Sequence, residues 1–293
     1  PYEYGINSFK HWCDKNNCEL VVLDELLHPN DIMRINYHRY YAFDILDNSG
    51  IDYDQIFLAD SSCMIKWNAP NIFELTDRKF VGWNDRDNMR WIYDSIQGYK
   101  SFFNGFELDQ YSYVSSGVII FNEIHKEVIQ GFKKLYLDNI DKFIDLQDNI
   151  VKKGNDQTPL NYWLQINNVE LNLDLPIAFK LTHMHRKDLF SHNWQDGDDK
   201  TPFFIKYGYN WVFNGIPKDT RSTLIKETWD LVGHNYNMDT AKYDKILDEM
   251  LHKDTAKYTT SRKLKLDILE KFGNGKYKDK TIVEIGASQG QST

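Results

Sequence analysis

The sequence predicts an α/β sandwich built on a mostly parallel central sheet, and three features point to it. Short apolar runs such as ELVVL at 19–23 and QIFLA at 55–59 suit buried strands. Between them, apolar and aromatic residues recur at helical spacing. The two kinds of segment alternate along the chain, as they do where helices cover both faces of a parallel sheet.

Taken in order, residues 5–17 read as a helix and ELVVLDEL holds the first strand. Residues 31–46 read as a second helix, with Asp31 as its N-cap and Gly50 just past its end. QIFLA is the next strand, FELTDRKFVGW contains another, and YVSSGVIIFN is the strongest β pattern in the chain. Helical patterns follow at 126–137 and 141–152, and again after the turn at 156–159. Late strands are expected in PFFIKY and NWVFN. Ligands of open α/β sheets bind beyond the carboxyl ends of the strands. Asp60, directly after QIFLA, occupies such a place.

A chain of 293 residues, 41% hydrophobic, has room for a large domain and a smaller piece. Residues 1–232 are expected to form the main domain. Residues 233–280 turn polar and helix-forming, as a C-terminal helical connector would. Residues 281–293, TIVEIGASQGQST, run from a strand into a glycine-rich turn and read as the start of a separate domain. The chain opens at Pro1 without a methionine and stops at Thr293 inside that motif, so both ends read as cut, with room for a first strand before Pro1.

The net charge of -8 and pI of about 5.6 argue against whole-surface attraction to nucleic acid or to an anionic membrane. An anionic ligand would therefore need local cations or a metal. Cys13, Cys18 and Cys63 form no regular framework and read as reduced thiols of a cytoplasmic protein. No apolar run reaches the ~18 residues of a membrane span.

Asp60 at a strand end could hold a divalent cation that bridges two phosphates. An Asp after a strand is also an ordinary turn residue. Four segments in order favour the first role. IFLADSSCMIKWNAPNIFEL resembles the strand that ends in Asp-x-Asp in nucleotide-sugar glycosyltransferases of the GT-A type. INYHRYYAFDIL resembles the helix that carries a basic residue to the donor, here Arg39. YVSSGVIIFN resembles the strand lining the donor sugar, with Ser115, Ser116 and Gly117. NDQTPLNYWL resembles the turn that opens a helix beside the sugar, with Asp156 and Gln157. The similarity spans residues 5–221 and is nearest to sugar transferases of large algal viruses and microbial polysaccharide loci, including rhamnosyltransferases.

The resemblance implies a GT-A Rossmann-like α/β/α sandwich, a UDP-, GDP- or dTDP-sugar donor, a glycan acceptor and Mn2+ or Mg2+. Asp60, Ser61 and Ser62 would meet the donor diphosphate, and Asp156 would be the general base of an inverting transfer. Two departures stand out. Ser62 replaces the second Asp, and WVFNGIPK has Val212 where a metal-binding histidine is expected, while keeping Gly215 and Lys218. His183 and His185, two apart, could face one side of an extended segment as replacement ligands beside Asp60 and Ser62. Alternatively, Arg39 or Lys218 could carry part of the phosphate charge without a metal. Of the tryptophans, Trp83 and Trp211 are expected nearest the pocket, since each lies on or after a strand. VEIGASQGQST resembles the first motif of S-adenosylmethionine-dependent methyltransferases, so that cofactor would belong to the intact parent protein. The alternative to sugar transfer is a catalytically silent sugar-binding scaffold serving a fused O-methyltransferase.

Overall fold

The computed structural model describes residues 2–29, 32–86, 88–180, 201–236 and 282–286, the last of these as backbone. Eight helices and eight strands are used below: α1 (Tyr2–Asn16), β1 (Glu19–Leu23), α2 (Ala42–Asn48), β2 (Gln55–Asp60), β3 (Cys63–Ile65), β4 (Phe80–Asn84), α3 (Met89–Lys100), β5 (Val114–Asn122), α4 (Lys126–Asp138), α5 (Ile140–Asp145), α6 (Gln157–Ile166), β6 (Leu171–Asn172), α7 (Phe203–Tyr207), β7 (Asn210–Val212), α8 (Lys218–Val232) and β8 (Ile282–Gly286).

The main sheet runs β1-β8-β2-β5-β4-β6, and β3 pairs with β7 in a separate ribbon. The expected α/β class holds, and the main sheet is mixed. β1, β8 and β2 are parallel neighbours, β5 is antiparallel to β2 and to β4, and β4 is parallel to β6. The strand expected to open a separate domain, β8, lies inside this sheet between β1 and β2. The rest of the glycine-rich motif and of the expected connector fall outside the described residues.

β2 and β5 are buried along almost their whole length because helices and loops cover both faces, and their apolar runs IFLA and GVIIF suit that place. α1 buries Gly5, Ser8, Phe9, Trp12 and Cys13, which is one helical face by spacing. A side chain at Gly5 would meet the Cys63 carbonyl at 2.5 Å, so glycine lets α1 lie directly on β3. On the opposite face of the sheet, Tyr37, Phe132, Tyr136 and Phe143 form an aromatic cluster, with Tyr37 and Tyr136 stacked at 3.6 Å. Much of the aromatic content is thus core.

Several expected elements change form. The helix expected at 31–46 is a 3-10 segment, Ile35–Tyr41, followed by α2. Gly50 then adopts φ +65° beyond the end of α2. FEL belongs to a short 3-10 turn, and the strand starts only at Phe80. PFFIKY, expected as a strand, is the helix α7. Its β-branched and aromatic residues favour strands, but Pro202 starts a turn whose carbonyl accepts from Ile205 and Lys206, and Phe204 and Ile205 are then buried. Among the described residues no helix is long and apolar enough to cross a membrane.

Candidate functional site

A cleft of about 920 Å³ opens at the carboxyl end of β2. It lies between the 3-10 segment Ile35–Tyr41, the start of β5, the loop before α6 and the start of α8. Residues from the four ordered segments and from NGIPK meet there: Arg39, Asp60, Ser61, Ser62, Ser116, Gly117, Asp156, Gln157, Gly215 and Lys218 line it.

Arg39 is the hub of its floor. Its Nε donates to the Asn36 carbonyl at 3.1 Å, Nη1 to the Ser116 carbonyl at 2.7 Å, and Nη2 to Asp60 Oδ1 at 2.5 Å. The Arg39 and Asp60 side chains are 16% and 23% exposed, so solvent screens their pair only partly. Burial raises the Asp60 carboxyl above its ordinary pKa, with the nearby Asp156 charge adding to it and Arg39 and Arg221 pulling the other way.

β2 and β5 bring Gly117 beside Asp60. The place where a Gly117 Cβ would sit is 3.1 Å from Asp60 Oδ2 and 2.8 Å from Asn214 Nδ2. The missing side chain is what allows these two groups to approach. Ser115 is buried and does not line the cleft.

Asp156 precedes α6, yet its side chain does not cap that helix. Its Oδ1 accepts from Asn36 Nδ2 at 3.2 Å and its Oδ2 from the Tyr40 hydroxyl at 2.9 Å. The simple capping role is therefore absent, and the carboxylate is turned toward the 3-10 segment at the cleft floor. Burial, reinforced by the Asp156 charge, pushes the Tyr40 phenol well above its ordinary value and keeps it a hydrogen-bond donor. Tyr37 donates to the Asn155 carbonyl at 3.0 Å and so ties the loop to the aromatic core. Gln157 Nε2 donates to Asp85 at 2.9 Å, while its Oε1 accepts from the Ser116 amide at 3.3 Å.

Two sequence expectations are corrected. Trp83 points into the core beneath the sheet, its Nε1 bonded to the Pro176 carbonyl, and Trp211 is buried against Phe204 with its Nε1 on the Gly208 carbonyl. Neither lines the cleft, because each strand sends that side chain to the face away from it. Among the described residues, the tryptophan that does line the cleft is Trp91, half-buried in the first turn of α3.

Also missed were Lys152, Lys153, Asn214 and Arg221. The available signals were local. Lys152 and Lys153 stand just before Gly154 and Asp156, and Arg221 follows Lys218 by three residues, one helical turn. Gly154 adopts φ +70°, and a Cβ there would clash with Ser95 Oγ and Thr158 Oγ1. The turn that carries the two lysines therefore depends on glycine.

The described donors fit a divalent ion poorly. Asp60 Oδ1 is taken by a guanidinium, Ser62 offers a neutral hydroxyl, and both Asp156 oxygens already accept hydrogen bonds. Val212 lies in the core, paired with Cys63. Among the described residues no three His, Cys, Asp or Glu side chains are grouped to hold a metal. His183 and His185 lie outside the described residues. Comparison with protein-family models, curated proteins and solved structures gives no match.

Proposed function

We propose that the chain transfers a sugar from a nucleotide-diphosphate donor to a glycan acceptor within the cleft at Asp60, on a GT-A type fold. One observation carries this reading. Motifs spread from Arg39 to Lys218, picked out separately in the sequence, converge on one cleft at the carboxyl end of a central strand. Chance placement on a surface would scatter them.

The chemistry follows from the two carboxylates being held differently. Asp60 is locked to Arg39, whereas Asp156 accepts only from the neutral Asn36 and Tyr40 among the described residues. A carboxylate has about four lone-pair sites, so Asp156 keeps capacity for one more proton donor. In an inverting transfer the acceptor hydroxyl oxygen bonds to the anomeric carbon while the bond from that carbon to the phosphate oxygen breaks. The nucleoside diphosphate leaves with the bonding pair, and Asp156 takes the hydroxyl proton. Asn36 and Tyr40 hold Asp156 in position for this. Trp91 offers the acceptor an apolar face at the same cleft.

The reading is tested by measuring nucleoside diphosphate release from a panel of UDP-, GDP- and dTDP-sugars, with and without manganese and with glycan acceptors. Release from one donor, lost in D156N, is expected. Neither binding nor release with any donor would overturn it.

A further inference from the structure

We propose that the donor diphosphate is held by side-chain cations at the rim of the cleft, Lys152, Lys153, Lys218 and Arg221, rather than by a divalent metal. This rests on the glycosyl-transfer reading and concerns how its donor is bound.

The charge around the cleft has the opposite sign to that of the chain. The protein carries -8 overall, yet among the described residues the cleft is lined by five Lys or Arg side chains against the three acids Glu25, Asp60 and Asp156, a formal +2. A donor diphosphate carries about two negative charges, one per phosphate. The Arg39 charge is already matched by Asp60 at 2.5 Å, which leaves exposed Lys152 and the Arg221 guanidinium as cations placed to face a ligand.

Their placement suits that task. Lys152 is exposed on the turn before α6, and Lys153 sits beside it with only a 3.5 Å contact to Asp94. Lys218 and Arg221 are three apart in the first turn of α8, so they share a side of that helix. Arg221 Nε donates to the Ile216 carbonyl at 3.2 Å, which orients the guanidinium, and its Nη atoms have no hydrogen-bond partner among the described residues. A planar guanidinium can then grip two phosphate oxygens at once.

The same geometry disfavours a dication. Placed on Asp60, it would lie beside the Arg39 guanidinium and repel it. Among the described residues, the side chains beside Asp60 that could complete its shell are a serine hydroxyl and a carboxylate already holding two hydrogen bonds.

The test is calorimetric titration of the full chain with UDP, GDP and dTDP, each in EDTA and again in manganese. At least one should bind in EDTA within about threefold of its affinity in manganese, more weakly as salt rises. The K152A/R221A pair should weaken that binding by about tenfold or more, with R221K intermediate and with Tm unchanged, since both positions are at the rim. Binding only in manganese would overturn the cation site while leaving glycosyl transfer standing. Metal-free binding that K152A/R221A does not weaken would also overturn it. No binding in either condition would overturn both.

Discussion

The floor and the rim of the cleft use charge in different ways. On the floor, Arg39, Asp60, Asp156, Asn36 and Tyr40 satisfy one another at 2.5 to 3.2 Å, and their positions are set before any ligand arrives. At the rim, Lys152, Lys153, Lys218 and Arg221 stand on a turn and at a helix start, close to solvent and in excess over nearby acids. A floor of this kind stabilises one geometry without reorganising. A rim lined with cations attracts an anion. On the proposed reading, positioning and proton transfer would fall to the floor and donor capture to the rim.

The comparison can be broken most decisively at Asp156. D156N keeps the shape and removes the base, so kcat should fall by about 10²- to 10⁴-fold, while nucleoside diphosphate binding by calorimetry changes little. A comparable loss of binding would mean that floor and rim are not separate in function.

Gly117 tests whether the floor is preformed. G117A puts a methyl group against Asp60 and Asn214, and overpacking of that kind costs about 1 to 3 kcal/mol. Thermal unfolding should show the loss, and transfer should fall further than stability alone explains. An unchanged Tm with full transfer would show that the contact has room to relax.

Trp91 is expected to matter only for the acceptor. W91A should raise acceptor KM by about fivefold, equivalent to roughly 1 kcal/mol of stacking, with the donor KM unaltered. An effect on the donor instead would place Trp91 on the rim side of the comparison.

The smallest expected effect is on stability through Asp60. Burial raises its folded-state pKa, so the folded chain binds this proton more readily than the unfolded chain. Its contribution should therefore fall as pH rises from about 4 through the raised value and stay level above it. The Tm difference between wild type and D60N, followed from pH 4 to 8, should narrow in that window. A difference that widens with pH would mean that Arg39 holds the carboxyl below its ordinary value.

Much of the frame could be read from the chain, for a simple reason. IFLA and GVIIF are short continuous apolar runs, the pattern of strands buried on both faces, and β2 and β5 are buried along nearly their whole length. The spacing of Phe9, Trp12 and Cys13 equally requires a helix with one buried face. PFFIKY misled because its composition favours a strand, while the turn begun at Pro202 and the burial of Phe204 make it helical. Local propensity is a weak force beside tertiary packing.

The site divides along the same line. Sequence alone picked out residues that line the cleft: Asp60 at the end of β2, Ser116 and Gly117 in β5, and Asp156 before α6. Those positions follow from strand and helix boundaries, which are local. Only the tertiary structure decided what each one faces. It set Arg39 against Asp60 across 21 positions of chain, turned Asp156 from helix cap to partner of Tyr40, sent Trp83 and Trp211 into the core, and brought Lys152 and Arg221 to one rim. Those pairings join segments distant in sequence. They form only when the sheet and its covering helices pack together.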